Sequence, residues 1–128
     1  MHEFSTMASV VAAVREEGRK HRADRICRVG LEVGALTFLN PEQLHFAFGI
    51  LTRDTEVEGA TLDIATVPPE VRCPCGYAGD ARYEERQDFH LRIPTLRCPR
   101  CGQPVEIVRG RECRITEVEI EVEYVSSA

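Results

Sequence analysis

A chain of 128 residues with 43% apolar and 29% charged side chains has room for one ordinary core and a small satellite module, and nothing in it reads as disordered. Its formal net charge of −5 argues against binding a phosphate backbone, which needs a basic face, and an aromatic content of 6% without Trp points to an aliphatic core. No segment has the length or purity of a membrane span and the N-terminus lacks a basic-then-apolar leader, so the expected compartment is the cytoplasm, where six cysteines read as thiols or metal ligands, not as disulfides.

The chain opens Met1-His2-Glu3. An imidazole one residue from an α-amine can chelate a divalent metal without any fold. The amine, the backbone nitrogen of His2 and its ring nitrogen close adjacent chelate rings, and flat nitrogen coordination suits Ni(II) or Cu(II) better than Zn(II). Ser5 and Thr6 are placed to cap a helix whose face carries Met7, Val10, Val11 and Val14, ending in the polar run from Glu16 to His21. Cys27, Val29, Leu31 and Val33 then alternate with Arg28, Gly30, Glu32 and Gly34, the period of a half-buried strand, which predicts Cys27 as a small buried hydrophobe.

The second helix start is the best specified: Asn40 as N-cap, Pro41 at the first helical position, and Gln43 placed to complete a capping box. Leu39 and Leu44 form a hydrophobic staple, and Leu44, Ala47, Phe48 and Leu51 make the apolar stripe. His21 and His45 sit on presumed helices without ligand spacing and read as surface residues. Leu62 and Ile64, with Thr66, form a second strand that Pro68-Pro69 must end, because proline cannot donate to a sheet ladder.

From Glu70 to Pro104 there is little sustained periodicity, and four of the six cysteines fall there. Cys73-Pro74-Cys75-Gly76 and Cys98-Pro99-Arg100-Cys101-Gly102 are two paired-thiol knuckles, each followed by the glycine that a tight or positive-φ turn requires. Four thiolates complete a tetrahedron around Zn(II) and leave no open position for a catalytic water. The first knuckle has one residue between its cysteines where such ribbons usually have two. That tightens its chelate loop, and it makes His90 the substitute ligand to consider. Too few apolar residues separate the knuckles to hold a lobe of this size unaided, so the metal is structural. Cys113 precedes the final strand and has no partner motif. In that strand Val118, Ile120, Val122 and Tyr124 alternate with Glu117, Glu119, Glu121 and Glu123, an acidic outer face read as solvation.

The predicted fold is α+β: two helices packed on a three-stranded mixed sheet, with an inserted zinc-ribbon lobe. Residues 1–68 plus 105–128 form the α/β domain and 69–104 the rubredoxin-like zinc-binding domain. No G-x-S-x-G elbow, Walker loop or H-E-x-x-H motif is present, and no enzyme is expected.

Taken together, Met1-His2-Glu3, the run from Leu31-Glu32-Val33-Gly34 through Asn40-Pro41-Glu42 to Phe46-Ala47-Phe48, and the Cys-Pro-Arg-Cys-Gly knuckle resemble the HypA family of nickel metallochaperones for NiFe hydrogenase maturation. Gly59 to Ile64 and Gly110-Arg111-Glu112 extend the resemblance over nearly the whole chain. It implies Ni(II) as transported cargo at Met1, His2 and Glu3, with the His2 ring and N-terminal backbone nitrogens as ligands and Glu3 beside them. It implies structural Zn(II) at Cys73, Cys75, Cys98 and Cys101. The implied partners are a HypB-type GTPase and the hydrogenase large subunit, with urease maturation proteins served by some relatives. Neither nucleic acid nor membrane is expected, and either a monomer or a homodimer fits. Phe4 stands where many relatives have leucine. The rival readings from other classes are a zinc-ribbon adaptor and a rubredoxin-like electron carrier, since four thiolates also hold iron.

Overall fold

The computed structural model describes residues 2–86 and 91–123, so that Met1, Phe89, His90 and Tyr124 lie outside it. Its elements in chain order are α1 (His2–Lys20), β1 (Arg25–Gly34), a 3-10 turn (Ala35–Thr37), α2 (Pro41–Leu51), β2 (Thr61–Val67), β3 (Glu70–Arg72), β4 (Ala78–Asp80), β5 (Arg82–Arg86), β6 (Leu91–Thr95), β7 (Glu106–Arg109) and β8 (Cys113–Glu121). They fall into two compact units: Met1–Glu32, Leu39–Ala65 and Arg114–Ala128 form the first, Val33–Phe38 and Thr66–Cys113 the second.

In the first unit two helices pack on a three-stranded mixed sheet of order β2-β1-β8, as the periodicities predict. Met7, Val14, Ile26, Val29, Leu31, Leu44 and Val57 are all fully buried there, the aliphatic core that a sequence without Trp requires. Gly18 lets α1 lie close to β1: a Cβ at that position would stand 3.0 Å from Ile26 Cδ1.

Three local details depart from the sequence reading. Ser5 and Thr6 do not start α1, which begins at His2; Ser5 Oγ donates to the His2 carbonyl at 3.3 Å from inside the helix. A serine one turn into a helix can bond back to an earlier carbonyl as readily as cap, and sequence does not distinguish the two. Cys27 is half-exposed and not a core residue. Burial along β1 reads Ile26 in, Cys27 and Arg28 toward solvent, Val29 in, so the alternation slips by one residue on the N-terminal side of Val29. The third is the cap of α2. Asn40 does cap, its Oδ1 accepting from the amides of Glu42 (2.8 Å) and Gln43 (3.3 Å). The acceptor for the Asn40 amide, however, is the carboxylate of Glu3, at 3.2 Å. A residue of α1 thus takes the part expected of Gln43.

The second unit is built of short strands. A three-stranded antiparallel sheet runs β4-β3-β7, and β5 pairs with β6 as a hairpin in which Arg82 faces Thr95 and Arg86 faces Leu91. Gly110 is obligatory here: its φ is +118°, and a Cβ would lie 2.9 Å from Pro69 Cα. Among the described residues, no helix is long and apolar enough to cross a membrane.

Candidate metal centre

Each knuckle is closed by its own backbone. In the first, the Gly76 amide donates to the Cys73 carbonyl (3.0 Å) and the Cys73 amide to the Tyr77 carbonyl (2.8 Å). In the second, the Gly102 amide donates to the Cys98 carbonyl (2.9 Å) and the Cys98 amide to the Gln103 carbonyl (2.8 Å). Gly76 and Gly102 adopt φ of +104° and +76°, the positive-φ conformation that favours glycine, as expected at both turns. The missing residue of the first knuckle does not prevent closure.

These turns bring all four sulfurs together. The Cys73 and Cys101 Sγ atoms are 3.5 Å apart and those of Cys75 and Cys98 3.6 Å, with all four within 4.8 Å of one another. A tetrahedron with metal–sulfur bonds near 2.3 Å has edges of about 3.8 Å, so the thiols stand close to the vertices such an ion needs. Cys73 and Cys98 are buried and Cys75 and Cys101 exposed, one of each per knuckle. The centre therefore lies at the surface with one side shielded.

The electrostatics show what loading a cation here would require. Burial pushes the Cys98 thiol up, but amide hydrogen bonds from Cys101 and Arg100 and the sulfurs of Cys75 and Cys101 outweigh it and pull it down to about 6. At Cys73 the amide of Cys75 favours the thiolate, yet burial and the three neighbouring sulfurs push the thiol up to about 12. Four negative charges cannot share this space unless a metal neutralises them, and loading one must release protons. Beside the second knuckle, the Arg100 guanidinium lies over the Tyr77 ring at 5.8 Å, and Tyr77 donates its hydroxyl to the Asp80 carbonyl at 2.7 Å. The pair links the two knuckle turns, a contact no spacing rule foretells.

The other sequence-derived candidates are elsewhere. His2 is exposed in the first turn of α1, and Glu3 is half-buried beside it. The carboxyl of Glu3 is held below the usual range by its own amide and that of Asn40. The first amides of a helix have no intrahelical carbonyl to serve, so the His2 nitrogen can engage a ligand without costing the helix a bond. Cys27 faces Glu121, its sulfur 3.8 Å from a carboxylate oxygen, and Cys113 is exposed; neither joins the four-thiol cluster. His21 lies 3.3 Å from Glu17 on the surface, and His45 is exposed, as expected.

Comparison with known proteins gives this geometry a context. Residues 1–120 match the family described as hydrogenase/urease nickel incorporation, metallochaperone, hypA. The hydrogenase maturation factor HypA of Methanothermobacter thermautotrophicus is 38% identical over 122 residues, covering 94% of this chain and 98% of its own. That of Acidithiobacillus ferrooxidans is 35% identical over 123 residues, covering 94% and 100%. Among solved structures, the solution structure of the Ni metallochaperone HypA from Helicobacter pylori superposes with a TM-score of 0.65 at 25% identity, covering 96% of this chain and all of that one. A second solution structure of a HypA protein gives 0.68 at 26% identity, with 96% and 98% covered.

Proposed function

The chain belongs to the HypA family of nickel-incorporation metallochaperones, carriers and not enzymes, and on that premise we propose that it binds Ni(II) at Met1-His2-Glu3 and delivers it for the maturation of NiFe hydrogenase. In the same reading Cys73, Cys75, Cys98 and Cys101 hold a structural Zn(II), which supplies folding energy to the second unit and no chemistry. A HypB-type GTPase and the hydrogenase large subunit are the proposed partners, with urease maturation proteins as further clients.

The observation that carries the reading is the Glu3–Asn40 hydrogen bond, which ties the first turn of α1 to the cap of α2 and leaves the neighbouring His2 exposed. Nickel is held by the His2 imidazole and backbone nitrogens of the segment, with the Glu3 carboxylate alongside to offset its charge. The helix dipole works against a cation at this end, by roughly 0.3 to 1 kcal/mol for an exposed charge. A carrier that must give up its cargo tolerates such a weakening. Zinc suits the other site because it needs no redox partner and is closed by four protein ligands.

Metal analysis of the untagged protein and of His2→Ala tests the proposal. The native chain should take up nickel in addition to zinc, and His2→Ala should lose the nickel while keeping zinc and the native far-ultraviolet circular dichroism. Nickel uptake by His2→Ala equal to that of the native chain would sink it. Visible absorbance of the purified protein at the thiolate site would indicate iron and favour an electron carrier instead.

A further inference from the structure

β8 is the end strand of the first unit's sheet, so one of its edges has no partner strand among the described residues. Along that strand the side chains at Ile115, Val118 and Ile120 are only half-buried, although each is large and apolar. They are incompletely covered because the space between them and α1 is a groove of about 540 Å³. Val14, Ile115, Val118 and Ile120 give it an apolar lining, and Glu17 and Glu117 stand among them. Glutamates 117, 119, 121 and 123 are exposed, and among the described ion pairs only Glu119 reaches a cation, Arg28 at 4.0 Å. The whole first unit leans the same way, with eight Lys or Arg against fourteen Asp or Glu.

We propose that this edge is a docking site for an extended basic segment of a partner protein, which adds to β8 as a further strand. An unpaired strand edge offers main-chain hydrogen bonds, and alternate side chains of an added strand fall on opposite faces. On one face they enter the groove, which calls for apolar residues. On the other they meet the glutamate row, which calls for lysine or arginine. The occupant is thus an extended stretch in which apolar and basic residues alternate.

Two other accounts of the same surface fit less well. Charges on an edge strand ordinarily prevent pairing, but solvation of the glutamates does not require an unfilled apolar groove beside them. A second copy of the chain fails on charge. Two β8 strands side by side would set one glutamate row against another, and like charges on neighbouring strands oppose pairing.

The probes are three synthetic ten-residue peptides: valine alternating with lysine, valine alternating with glutamate, and a scrambled peptide of the valine-lysine composition. Each is titrated into the full chain by proton-nitrogen correlation spectroscopy. The alternating valine-lysine peptide should shift resonances of β8 and of Ala13, Val14 and Glu17 on α1, with cross-strand Hα contacts between peptide and β8. The glutamate peptide should not bind, and the scrambled one should bind about tenfold more weakly, a difference of roughly 1.4 kcal/mol. Reversing Glu117, Glu119 and Glu121 to lysine should exchange the preference between the two alternating peptides. Equal binding of the scrambled peptide, shifts mapping elsewhere, or a concentration-dependent dimer that excludes the peptide would each overturn the proposal. The peptide comparison uses the native chain, so it decides even if the charge-reversed variant does not fold.

Discussion

The two units of this chain solve the problem of stability differently. Of the largest fully buried side chains, Met7, Ile26, Leu31, Leu44, Val14, Val29 and Val57 belong to the first unit and only Val71 and Pro69 to the second. What the second has in their place is Cys73 and Cys98, buried to 4% and 3% exposure, each facing a sulfur of the opposite knuckle. One unit is held by transfer of apolar area from water, whereas the other gathers four thiols placed so that they could hold a metal ion. The former needs long helices and a sheet to bury its faces; the latter needs only turns that set the four sulfurs within reach of one ion. The strands of the second unit are accordingly only three to five residues long, and on the proposed reading a zinc ion at the four thiols supplies the stability that its small core does not.

The sharpest way to break the comparison is to remove one thiol of the proposed zinc site. Cys98→Ser deletes a buried ligand, and structural zinc in small modules contributes about 10 to 16 kcal/mol of apparent binding energy. The expected result is collapse of amide dispersion for 66–113 with the helical circular dichroism of the first unit preserved. Loss of structure in both units together would show that the lobe and the core do not stand independently. The converse substitution is Leu31→Ala, at a position 1% exposed in the first unit. A truncation of this kind costs about 2 to 5 kcal/mol, so the denaturation midpoint followed by helical signal should drop markedly while metal content stays at the native level. Metal lost in proportion to helix would refute the division.

The same contrast explains which parts were legible in the sequence. Helices and strands that bury one face announce themselves by period: α2, β2 and the buried run Val29, Leu31 and Val33 could be read directly. The four thiols could be read as well, because a ligand cluster is specified by local spacing around turns. What escaped is what depends on contacts between distant segments. β3, β4 and β7 are too short for a period to show, and β7 pairs with β3 across more than thirty residues of chain. The slip at Cys27–Arg28 leaves no mark in the alternation of residue types, and Glu3 as the acceptor for the Asn40 amide joins residues that no capping rule compares. Ser5 and Thr6 misled for the complementary reason: they have the composition of a cap, but the helix already had a turn before them.

The smallest expected effect concerns how each unit responds to acid. The first unit contains no thiol cluster, so its acid response should come from carboxylates, and Glu56 is the best placed. Arg15 Nε and Nη2 donate to its two oxygens at 2.8 and 3.2 Å. These hydrogen bonds, with help from the Glu56 amide, hold its carboxyl below the ordinary value. The folded unit therefore keeps Glu56 ionised to lower pH than the unfolded chain does. Its contribution is complete above the unfolded carboxylate value, near 4.3, and is lost as the pH falls through the lowered folded value. Arg15 and Glu56 side chains are 36% and 28% exposed, so solvent screens the pair and Glu56→Gln should cost only about 0.5 to 1 kcal/mol at neutral pH. Urea melts of the first unit from pH 7 down to pH 3 should show the difference between native and variant shrinking toward zero. A gap that stays constant over that range would mean that Glu56 acts through packing and not through its charge. In the second unit no such substitution should matter as much, because at the proposed zinc site protons would compete directly with the ion for the thiolates.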